Sequence, residues 1–442
     1  MAKINNTMNK ITLNMNTFMK PLSVFGLLLC SFVGTSQEVL DFVPEVYTPT
    51  EPACVFYEGE FNGFISIPRS QNVIQKMQGG GTACSTFIVT YNGFESFPEA
   101  QTAFQFAVDI WSMSIESSQP IRVDATFAAL SPGVLGSAGS NSAFTSNHPD
   151  AIPNVFYARA LWEKIEDMES DTFGGVTIDI NANFSSTANW YFGLDANPPG
   201  NQTDFVSVVL HELGHGLGFF GGASVDGAGE GEIRFNNIPI VYDTFIQNGT
   251  GDAILSFTDP SIALGDQLTG NDLFNISAIS TGQNGGVAPK LYLPTSWNQG
   301  SSYSHWDEST FNGTINSLMT FAIGQGEANH NPGPMTLGFF EDMGWSICGG
   351  SLTVEEFDLA GIEVSPNPFM SSITVKLANN FSDDYTLDLI DINGRVILSE
   401  GKTASNGSLT LSNLDNLTSA LYFMKLTNVS NGQSITKKIV KK

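Results

Sequence analysis

Two histidines and a glutamate stand at a spacing that suits metal chemistry. The segment His211-Glu212-Leu-Gly-His215 follows an apolar run and precedes Gly-Leu-Gly218. On a helix, His211 and His215 lie one turn apart, so both imidazoles leave the same face and can reach one cation at about 2.0–2.1 Å. Glu212 is rotated by roughly 100° from His211, which brings its carboxylate near a water on that cation.

This arrangement predicts hydrolysis of peptide bonds at zinc. Zinc lowers the pKa of a bound water from about 15.7 to about 7, so a nearby carboxylate can remove its proton. Glu212 would be the general base and would return the proton to the leaving nitrogen as general acid. The expected function is therefore a zinc-dependent endopeptidase with protein or peptide substrates.

A catalytic zinc site takes three protein ligands and one water, so a third ligand is needed. An H-E-x-x-H-x-x-G start predicts a metzincin, in which a third histidine follows the glycine by three residues. Here Gly218 is that glycine, and Gly221 stands at the later position. The remaining candidates are three histidines and three glutamates: His148, His305, His330, Glu230, Glu232 and Glu341. Spacing alone leaves the choice open.

Three runs further along the chain resemble the C-terminal half of the leishmanolysin family of metzincins. They are Ser304-His305-Trp306-Asp307-Glu308, Ser317-Leu-Met-Thr320, and Met335 to Trp345. That family carries an insertion between the H-E-x-x-H-x-x-G helix and a third histidine in an S-H-W-E context, followed by a Met-turn. The resemblance covers about residues 84–347.

The resemblance implies the third ligand. His211, His215 and His305 would bind Zn²⁺ and Glu212 would be the general base. Met319 would be the Met-turn residue beneath the metal. His330, in Asn-His-Asn-Pro, would be a loop histidine rather than a ligand.

The chain departs from the family pattern at two places. Phe321 stands where astacin-like metzincins have a tyrosine, so no phenol would stabilise the oxyanion there. Asp307 is an insertion relative to S-H-W-E, which leaves Glu308 without an assigned role. The alternative function is a non-catalytic surface adhesin or binding protein on a metzincin scaffold, and the intact Glu212 argues against it.

The elements that would position these residues follow an α/β (α+β) order. Alternating apolar residues predict three strands, at Thr86–Tyr91, Ile121–Leu130 and Gly175–Asn183. Apolar residues at three- and four-residue spacing predict helices at Pro98–Ser117 and about Thr203–Leu217. Two polar stretches, residues 131–150 and 222–305, are expected to be long surface loops.

Residues 1–36 are typical of a secretory signal peptide, because Lys20 precedes the apolar run Pro21–Val33 and small polar residues follow it. Residues 37–83 are interpreted as a propeptide or N-terminal segment. Removal of the signal leaves three cysteines, so one disulfide and one free thiol are expected: Cys54, Cys84 and Cys348.

The pairing stays open at this point. A bridge between Cys84 and Cys348 would tie the ends of the middle region together. Alternatively, Cys54 would sit as a thiolate on the metal and hold the protein latent.

The last part of the chain has a different pattern. Short alternating segments predict five strands, at Ser372–Leu377, Tyr385–Ile390, Arg395–Ser399, Ser408–Leu411 and Leu421–Leu426. Asn393-Gly394 predicts a hairpin turn. Such a series indicates an Ig-like β-sandwich.

Three features of residues 355–442 resemble the C-terminal sorting domain of the Bacteroidetes type IX secretion system. They are a Ser-Pro-Asn-Pro start, a Leu-Tyr-Phe-Met-Lys strand and a terminal Lys-Lys-Ile-Val-Lys-Lys. The resemblance implies recognition by the type IX machinery at the outer membrane. The protein would then be secreted or attached at the cell surface.

The charge is concentrated in the middle of the chain. The 442 residues have a formal charge of −26, and residues 21–350 hold 7 basic against 34 acidic residues. Like charges repel, which excludes nucleic acid as a partner. No transmembrane anchor is expected. Ca²⁺ would suit the acidic loop Asp226–Glu232, but no calcium motif is complete there.

The expected architecture therefore has two folded parts. The first is an α/β (α+β) metzincin-type zinc protease domain at residues 84–350. The second is a C-terminal Ig-like β-sandwich at residues 355–442, which would be the sorting domain.

Overall fold

The computed structural model describes residues 42–49, 54–59, 63–79, 81–174, 177–349, 363–377, 384–391, 395–404, 407–429 and 434–442. The expected signal peptide at residues 1–36 and the Asn393-Gly394 turn lie outside these residues. Two hydrophobic clusters form within them, one drawn from residues 54–347 and one from residues 369–439. Helices and strands are mixed along the chain, so the protein belongs to the mixed α+β class.

The helices of the described residues lie in the first part of the chain. In chain order the α-helices are α1 (Gln71–Gly79), α2 (Pro98–Ser112), α3 (Arg159–Glu166), α4 (Asp171–Gly174), α5 (Phe205–Gly216), α6 (Ile262–Leu268), α7 (Ala278–Gln283), α8 (Glu308–Phe311) and α9 (Pro334–Met343). Two short 3-10 helices lie at Val241–Phe245 and Ile254–Ser256.

The same part contains many short strands. They are β1 (Val46–Tyr47), β2 (Phe56–Gly59), β3 (Ile65–Ile67), β4 (Phe87–Asn92), β5 (Ile115–Glu116), β6 (Ile121–Ala128), β7 (Val134–Ser140), β8 (Ala143–Thr145), β9 (Phe156–Ala158), β10 (Ile180–Ser185), β11 (Trp190–Tyr191), β12 (Thr203–Asp204), β13 (Ser224–Val225), β14 (Gly231–Glu232), β15 (Arg234–Phe235), β16 (Ile238–Pro239), β17 (Ile246–Asn248), β18 (Leu273–Asn275), β19 (Ala322–Gly324), β20 (Glu327–Asn329) and β21 (Ser346–Ile347).

One six-stranded sheet supports the centre of this part. Its strand order is β19-β2-β7-β10-β6-β4. Strands β4, β6 and β10 are parallel to one another, β7 is antiparallel to β10, and β2 is antiparallel to β7. Helices α2 and α5 contact each other and the sheet, and the Trp111 indole N–H on α2 donates to the Leu210 carbonyl on α5 at 3.0 Å.

The long helices and strands lie near their predicted positions, with two shifted ends. Helix α2 ends at Ser112 rather than Ser117, because Ile115 enters β5 and pairs with Ile347. Strand β10 begins at Ile180 rather than Gly175. Asp179, just before this strand, is buried and accepts a hydrogen bond from the backbone N–H of Arg122 at 2.7 Å.

The prediction of a surface loop at residues 131–150 is wrong. Strands β7 and β8 lie there, and β7 pairs with both β10 and β2. Small residues permit this position, since a Cβ on Gly136 would lie 2.9 Å from the Phe184 ring. Residues 222–305 likewise contain several short strands and two α-helices. In this protein a Gly- and Ser-rich composition therefore occurs both in loops and in strands whose backbones approach their neighbours closely.

The described residues between 43 and 79, within the expected propeptide or N-terminal segment, are built into this part of the fold. Strand β1 pairs with β8, β2 enters the six-stranded sheet between β7 and β19, and β3 pairs with β20. Lys76 on α1 donates to the backbone carbonyls of Met113 and Cys348, each at 3.3 Å.

One disulfide closes the domain. Cys84 and Cys348 are bonded, with their Cα atoms 5.7 Å apart and 264 positions apart in sequence. Cys54 is the free cysteine of the described part of the chain, and it is buried. One pair and one free thiol were the expected outcome, and the pair is the one that ties the domain ends.

The C-terminal part is a two-sheet β-sandwich. One sheet contains β22 (Glu363–Ser365), β23 (Ile373–Lys376) and β26 (Ser408–Leu411), and the other contains β24 (Asp384–Ile390), β25 (Val396–Thr403), β27 (Leu421–Asn428) and β28 (Ser434–Val440). Alternate residues of both sheets, such as Val375, Leu387 and Met424, are buried between them. The five predicted strands correspond to β23 to β27, with β25 continuing past its predicted end.

Candidate metal centre

Helix α5 begins where Asp204 caps it. The Asp204 carboxylate accepts hydrogen bonds from the backbone N–H of Ser207 at 2.8 Å and from its hydroxyl at 2.6 Å. His330 Nε2 donates to the same oxygen at 2.8 Å. All twelve residues of the helix are buried, and Gly218 follows its end with a φ of +121°. The cap satisfies backbone donors that the first turn leaves unpaired.

Three histidine rings converge at one point. The Nε2 atoms of His211 and His215 are 3.0 Å apart, and His305 Nε2 lies 3.2 Å from His215 and 3.3 Å from His211. All three side chains are fully buried. Helix α5 supplies the first two, and a backbone pairing between residues 290–292 and 303–307 holds the third.

A backbone carbonyl holds the other nitrogen of each ring. The Nδ1–H groups donate to the carbonyls of Leu318, Phe219 and Ser301 at 2.7, 2.7 and 2.6 Å, for His211, His215 and His305 respectively. These bonds fix the tautomer, so each Nε2 directs a lone pair at the shared point.

Burial also keeps the rings neutral, which is the form that binds metal. It lowers the pKa of His305 to about 4. Burial, together with the neighbouring imidazoles, lowers the pKa of His211 and His215 well below the usual range.

The spacing of these nitrogens fits zinc. Three lone pairs converging in a buried space repel one another unless a cation lies between them. Nitrogens at 2.0–2.1 Å from a tetrahedral zinc lie about 3.3 Å from one another. The observed separations are 3.0–3.3 Å.

Glu212 has a buried carboxylate near the histidines. Neither of its oxygens has a hydrogen-bond partner of good geometry among the described residues. Burial raises its pKa to about 8, an effect partly offset by the Ala138 backbone on β7 and by the Cys54 thiol. The carboxylate therefore lies close to β7, where it can contact a water or a substrate.

The Cys54 sulfur lies at the same point. Its Sγ is 3.3 Å from His305 Nε2 and 3.7 Å from His211 Nε2. The four ligand atoms of Cys54 and the three histidines lie within 4.8 Å of one another. Metal ligation by this cysteine was one of the alternatives left open, and its only sequence signal was the odd number of cysteines.

Met319 packs against α5 beside the histidines. A Cβ on Gly214 would lie 2.8 Å from the Met319 sulfur, so the methionine fits because position 214 is glycine. Met319 is fully buried, and its carbonyl accepts a hydrogen bond from the backbone N–H of Trp306 at 2.8 Å. This bond links the turn that carries Leu318 to the segment that carries His305.

Position 221 is closed to a third histidine. A Cβ on Gly221 would lie 2.2 Å from the Tyr303 ring and 2.5 Å from an Asp243 oxygen. The Tyr303 hydroxyl donates to Asp243 at 3.0 Å. The space for a nearby ligand is therefore filled, and His305 arrives from a distant segment instead.

The other candidate ligands lie elsewhere. His330 is buried and supports the α5 cap, so its description as a loop histidine is incomplete. His148 Nδ1 lies 3.8 Å from Asp150. Three glutamates considered as ligands lie outside the histidine cluster: Glu230, Glu232 and Glu341.

The remaining polar positions have local structural contacts. Asp226 accepts hydrogen bonds from the backbone of Ala228 and Glu230, so its side chain closes a turn in the loop considered for calcium. Asp307 accepts hydrogen bonds from Ser309 and Thr310 at the start of α8.

A second group with metal-like spacing contains Glu163, Glu169 and Asp171. Arg159 lies among them, 3.3 Å from Glu163 and 3.0 Å from Asp171. Arg122 contacts Glu169 at 2.6 Å. The chain's own guanidinium groups thus neutralise these carboxylates, and the group is an ion-pair cluster.

Two known families match parts of the chain. Residues 145–229, which include α5, match the family described as SPBPB7E8-like. Residues 363–442 match the family described as secretion system C-terminal sorting domain. No curated protein matches the chain.

Three solved structures resemble short parts of the chain. PorZ of Porphyromonas gingivalis, described as an essential surface component of the type IX secretion system, is 15% identical over 20% of this chain and 12% of its own, with a TM-score of 0.17. A DUF3244 family protein of Bacteroides vulgatus with an immunoglobulin-like β-sandwich is 20% identical over 18% of this chain and 83% of its own, with a TM-score of 0.16. Dimeric latent PorU of Porphyromonas gingivalis is 16% identical over 18% of this chain and 9% of its own, with a TM-score of 0.16.

The sorting-domain match settles the destination of the protein. A domain of this type is handled by the type IX secretion machinery and directs export. Among the described residues, no helix is long and apolar enough to cross a membrane. Residues 363–442 are a type IX secretion sorting domain, and the protein is secreted or lies at the cell surface.

Proposed function

We propose that this protein is a secreted zinc endopeptidase of the leishmanolysin-like metzincin class. The supporting observation is the convergence of three buried Nε2 atoms, 3.0–3.3 Å apart, near the unpartnered carboxylate of Glu212. Residues 84–350 would be the protease domain. Met319 would be the Met-turn residue that packs beneath the metal.

The chain's own residues have separate tasks in this mechanism. His211, His215 and His305 hold zinc through Nε2, and the three carbonyls that accept from Nδ1 keep the rings in orientation. When bound, zinc supplies a Lewis acid that polarises the scissile carbonyl and lowers the pKa of water. Glu212 accepts a proton from the attacking water and then donates it to the leaving nitrogen.

Oxyanion stabilisation does not involve a phenol at position 321. The Phe321 ring stacks on Tyr292 with their centroids 3.9 Å apart. Backbone donors near the site and the cation would carry this role.

A non-catalytic adhesin is the second candidate function. A carboxylate that is buried without a partner costs stability, on the order of 1–3 kcal/mol or more for a charged group. An adhesin has no use for a buried carboxylate without a hydrogen-bond partner, whereas a general base needs oxygens that are free to accept a proton. The Glu212 carboxylate has this property. This observation favours the peptidase.

The test is digestion of casein by the purified secreted form, with and without 1,10-phenanthroline, alongside metal analysis. The peptidase should contain one zinc per chain and produce casein fragments that the chelator abolishes. Zinc-independent binding of casein without fragments would support the adhesin. A zinc-loaded secreted form that begins after Cys54 and leaves casein intact would contradict the peptidase. The N-terminal sequence of the same sample reports whether residues 37–83 have been removed.

A further inference from the structure

A long stretch of chain separates the third histidine from the other two. His305 follows His215 by 90 positions. Where a third histidine follows the glycine by three residues, the short backbone connection itself places the ring, but here Gly221 stands at that position. Bringing the ends of a long stretch together costs conformational entropy, so contacts between its two ends have to hold His305 at the site.

The two ends of this stretch meet at Gly221 and Tyr303. A Cβ on Gly221 would lie 2.2 Å from the Tyr303 ring, so the ring lies directly against the backbone that follows α5. The Gly221 N–H also donates to the Ser304 hydroxyl at 3.1 Å. The absence of a side chain at position 221 therefore lets the segment that carries His305 approach the end of α5.

The Asp243 carboxylate bonds to both ends of the stretch. It accepts hydrogen bonds from the Gly222 N–H at 3.1 Å and from the Tyr303 hydroxyl at 3.0 Å. The Ile240 N–H donates to the same carboxylate at 2.9 Å and holds it in place. Only 1% of Asp243 is exposed, so these bonds are protected from competition by water. One buried carboxylate thus connects the chain after α5 with the chain before His305.

Tyr303 is held at its backbone as well as at its hydroxyl. The Tyr242 hydroxyl donates to the Tyr303 carbonyl at 2.9 Å, and the Tyr303 N–H donates to the Tyr292 carbonyl at 2.9 Å. The φ of Tyr303 is +74°, a left-handed conformation that bulky residues rarely adopt. Such a conformation persists only where the surrounding contacts determine it, and here it lies two residues before His305.

We propose that Asp243 and Tyr303 are a positioning pair that holds His305 in the zinc site, in place of a short backbone connection. The pair acts through His305 and does not itself bind zinc. The proposal rests on the proposed function, because it takes His305 to be a zinc ligand. Zinc affinity, and not stability alone, should therefore depend on the Tyr303 hydroxyl.

The first experiment measures the zinc Kd of the purified secreted chain by competition with the chromophoric chelator 4-(2-pyridylazo)resorcinol. Tyr303→Phe removes the hydroxyl and retains the ring. It should raise the zinc Kd by about 10–100-fold, the usual effect of losing a group that orients a metal ligand. The matched control is Tyr157→Phe, which removes a buried hydroxyl that accepts a hydrogen bond from the Ile152 N–H. The control should keep the wild-type Kd.

The same substitution in a His305→Ala chain separates positioning from a general loss of stability. Without the imidazole, Tyr303→Phe should no longer change the zinc Kd, so the two substitutions should be non-additive. Equal losses of affinity in both backgrounds, or no loss in either, would overturn the proposal. Asp243→Asn, which turns an amide N–H toward the donors around position 243, is a second variant. It should show the same dependence on His305 and keeps the test decisive if Tyr303→Phe does not fold.

The second readout is the visible absorption spectrum of the chain after zinc has been replaced by Co²⁺, which reports how the ligands surround the metal. Wild type and Tyr157→Phe should give the same spectrum, and the spectrum of Tyr303→Phe should shift toward that of His305→Ala. A Tyr303→Phe spectrum identical to that of wild type would overturn the proposal. Both readouts are taken without substrate. A zinc-holding wild type that begins after Cys54 and leaves casein intact would therefore contradict the proposed function alone.

Discussion

His305 and His330 are both buried histidines, but their ring nitrogens are used differently. His305 donates Nδ1–H to the Ser301 carbonyl and leaves Nε2 beside two other imidazoles. The Nε2 of His330 instead donates a hydrogen bond to the Asp204 carboxylate. Only His305 directs a ring nitrogen at a point that two other imidazoles share.

This difference predicts opposite metal contents for two alanine variants. His305→Ala should reduce zinc to well below one per chain, because only two imidazoles remain. His330→Ala should retain zinc and lower the free energy of unfolding, because Asp204 loses a buried partner. Metal analysis and urea denaturation of both purified variants check this. Zinc loss in His330→Ala alone would mean that the third ligand has been misassigned.

Single residues differ in how far the sequence reveals them. His211, Glu212 and His215 are predictable because helical periodicity alone brings the two histidines to one face and places Glu212 next to that face. His305 follows 90 positions after His215, and only the resemblance to leishmanolysins singled it out. The carbonyls of Leu318, Phe219 and Ser301 could not be predicted, because every residue has a carbonyl and tertiary packing decides which ones meet a ring.

At the scale of elements, the start of α5 fixes the positions of its two histidines. The Asp204 carboxylate accepts from Ser207 twice and from His330 once. Ser207 in turn accepts a hydrogen bond from the backbone N–H of Asn329 on β20 at 2.7 Å. The cap therefore joins the helix to a separate strand.

Asp204→Ala should destabilise the protein by about 2–4 kcal/mol, because it removes a helix cap and leaves buried donors unpaired. Urea denaturation followed by circular dichroism measures this. The matched control is Asp266→Ala, an exposed position on α6, which should cost less than about 0.5 kcal/mol. Equal effects of the two substitutions would show that the cap does not hold the helix.

Elements with strong periodicity were predicted well, and short ones in polar sequence were not. Helix α2 has apolar residues at helical spacing and begins at its predicted residue. Strand β7 reads Val-Leu-Gly-Ser-Ala-Gly-Ser and has the composition of a loop. Its strand state depends on pairing with β10 and β2, which lie far away in sequence, so local pattern could not reveal it.

At the scale of the whole molecule, a buried carboxylate links distant parts of residues 222–303, the long segment after α5. Asp243 accepts hydrogen bonds from Tyr303 and from the backbone of Gly222 and Ile240. Burial raises its pKa to about 7 from an ordinary value of 3.8. The folded state therefore retains this proton at pH values where the unfolded chain has released it.

The free energy of unfolding should respond to pH accordingly. The contribution of Asp243 is fully present below about pH 4 and is lost as the pH rises through about 7. The stability advantage of the wild type over Asp243→Asn should therefore shrink between pH 4.5 and 7.5. Urea denaturation across this range measures the difference. A difference that does not change with pH would contradict the raised pKa.

The sorting domain determines whether the protein is exported across the outer membrane. Removal of residues 363–442 should leave the protein in the periplasm, because the type IX machinery has nothing to recognise. Cell fractionation and immunoblotting of the truncated and complete chains check this. Equal amounts of both chains at the cell surface or in the medium would show that another segment directs export.

The measurement that tests the central claim most directly is casein cleavage by the secreted form with Glu212→Gln. Both wild type and variant should contain one zinc per chain, and removal of the general base should reduce the rate by about 10²–10⁴-fold. Glu230→Gln, at an exposed loop position, should cleave casein at the wild-type rate. Undiminished cleavage by a zinc-loaded Glu212→Gln protein would contradict the peptidase mechanism.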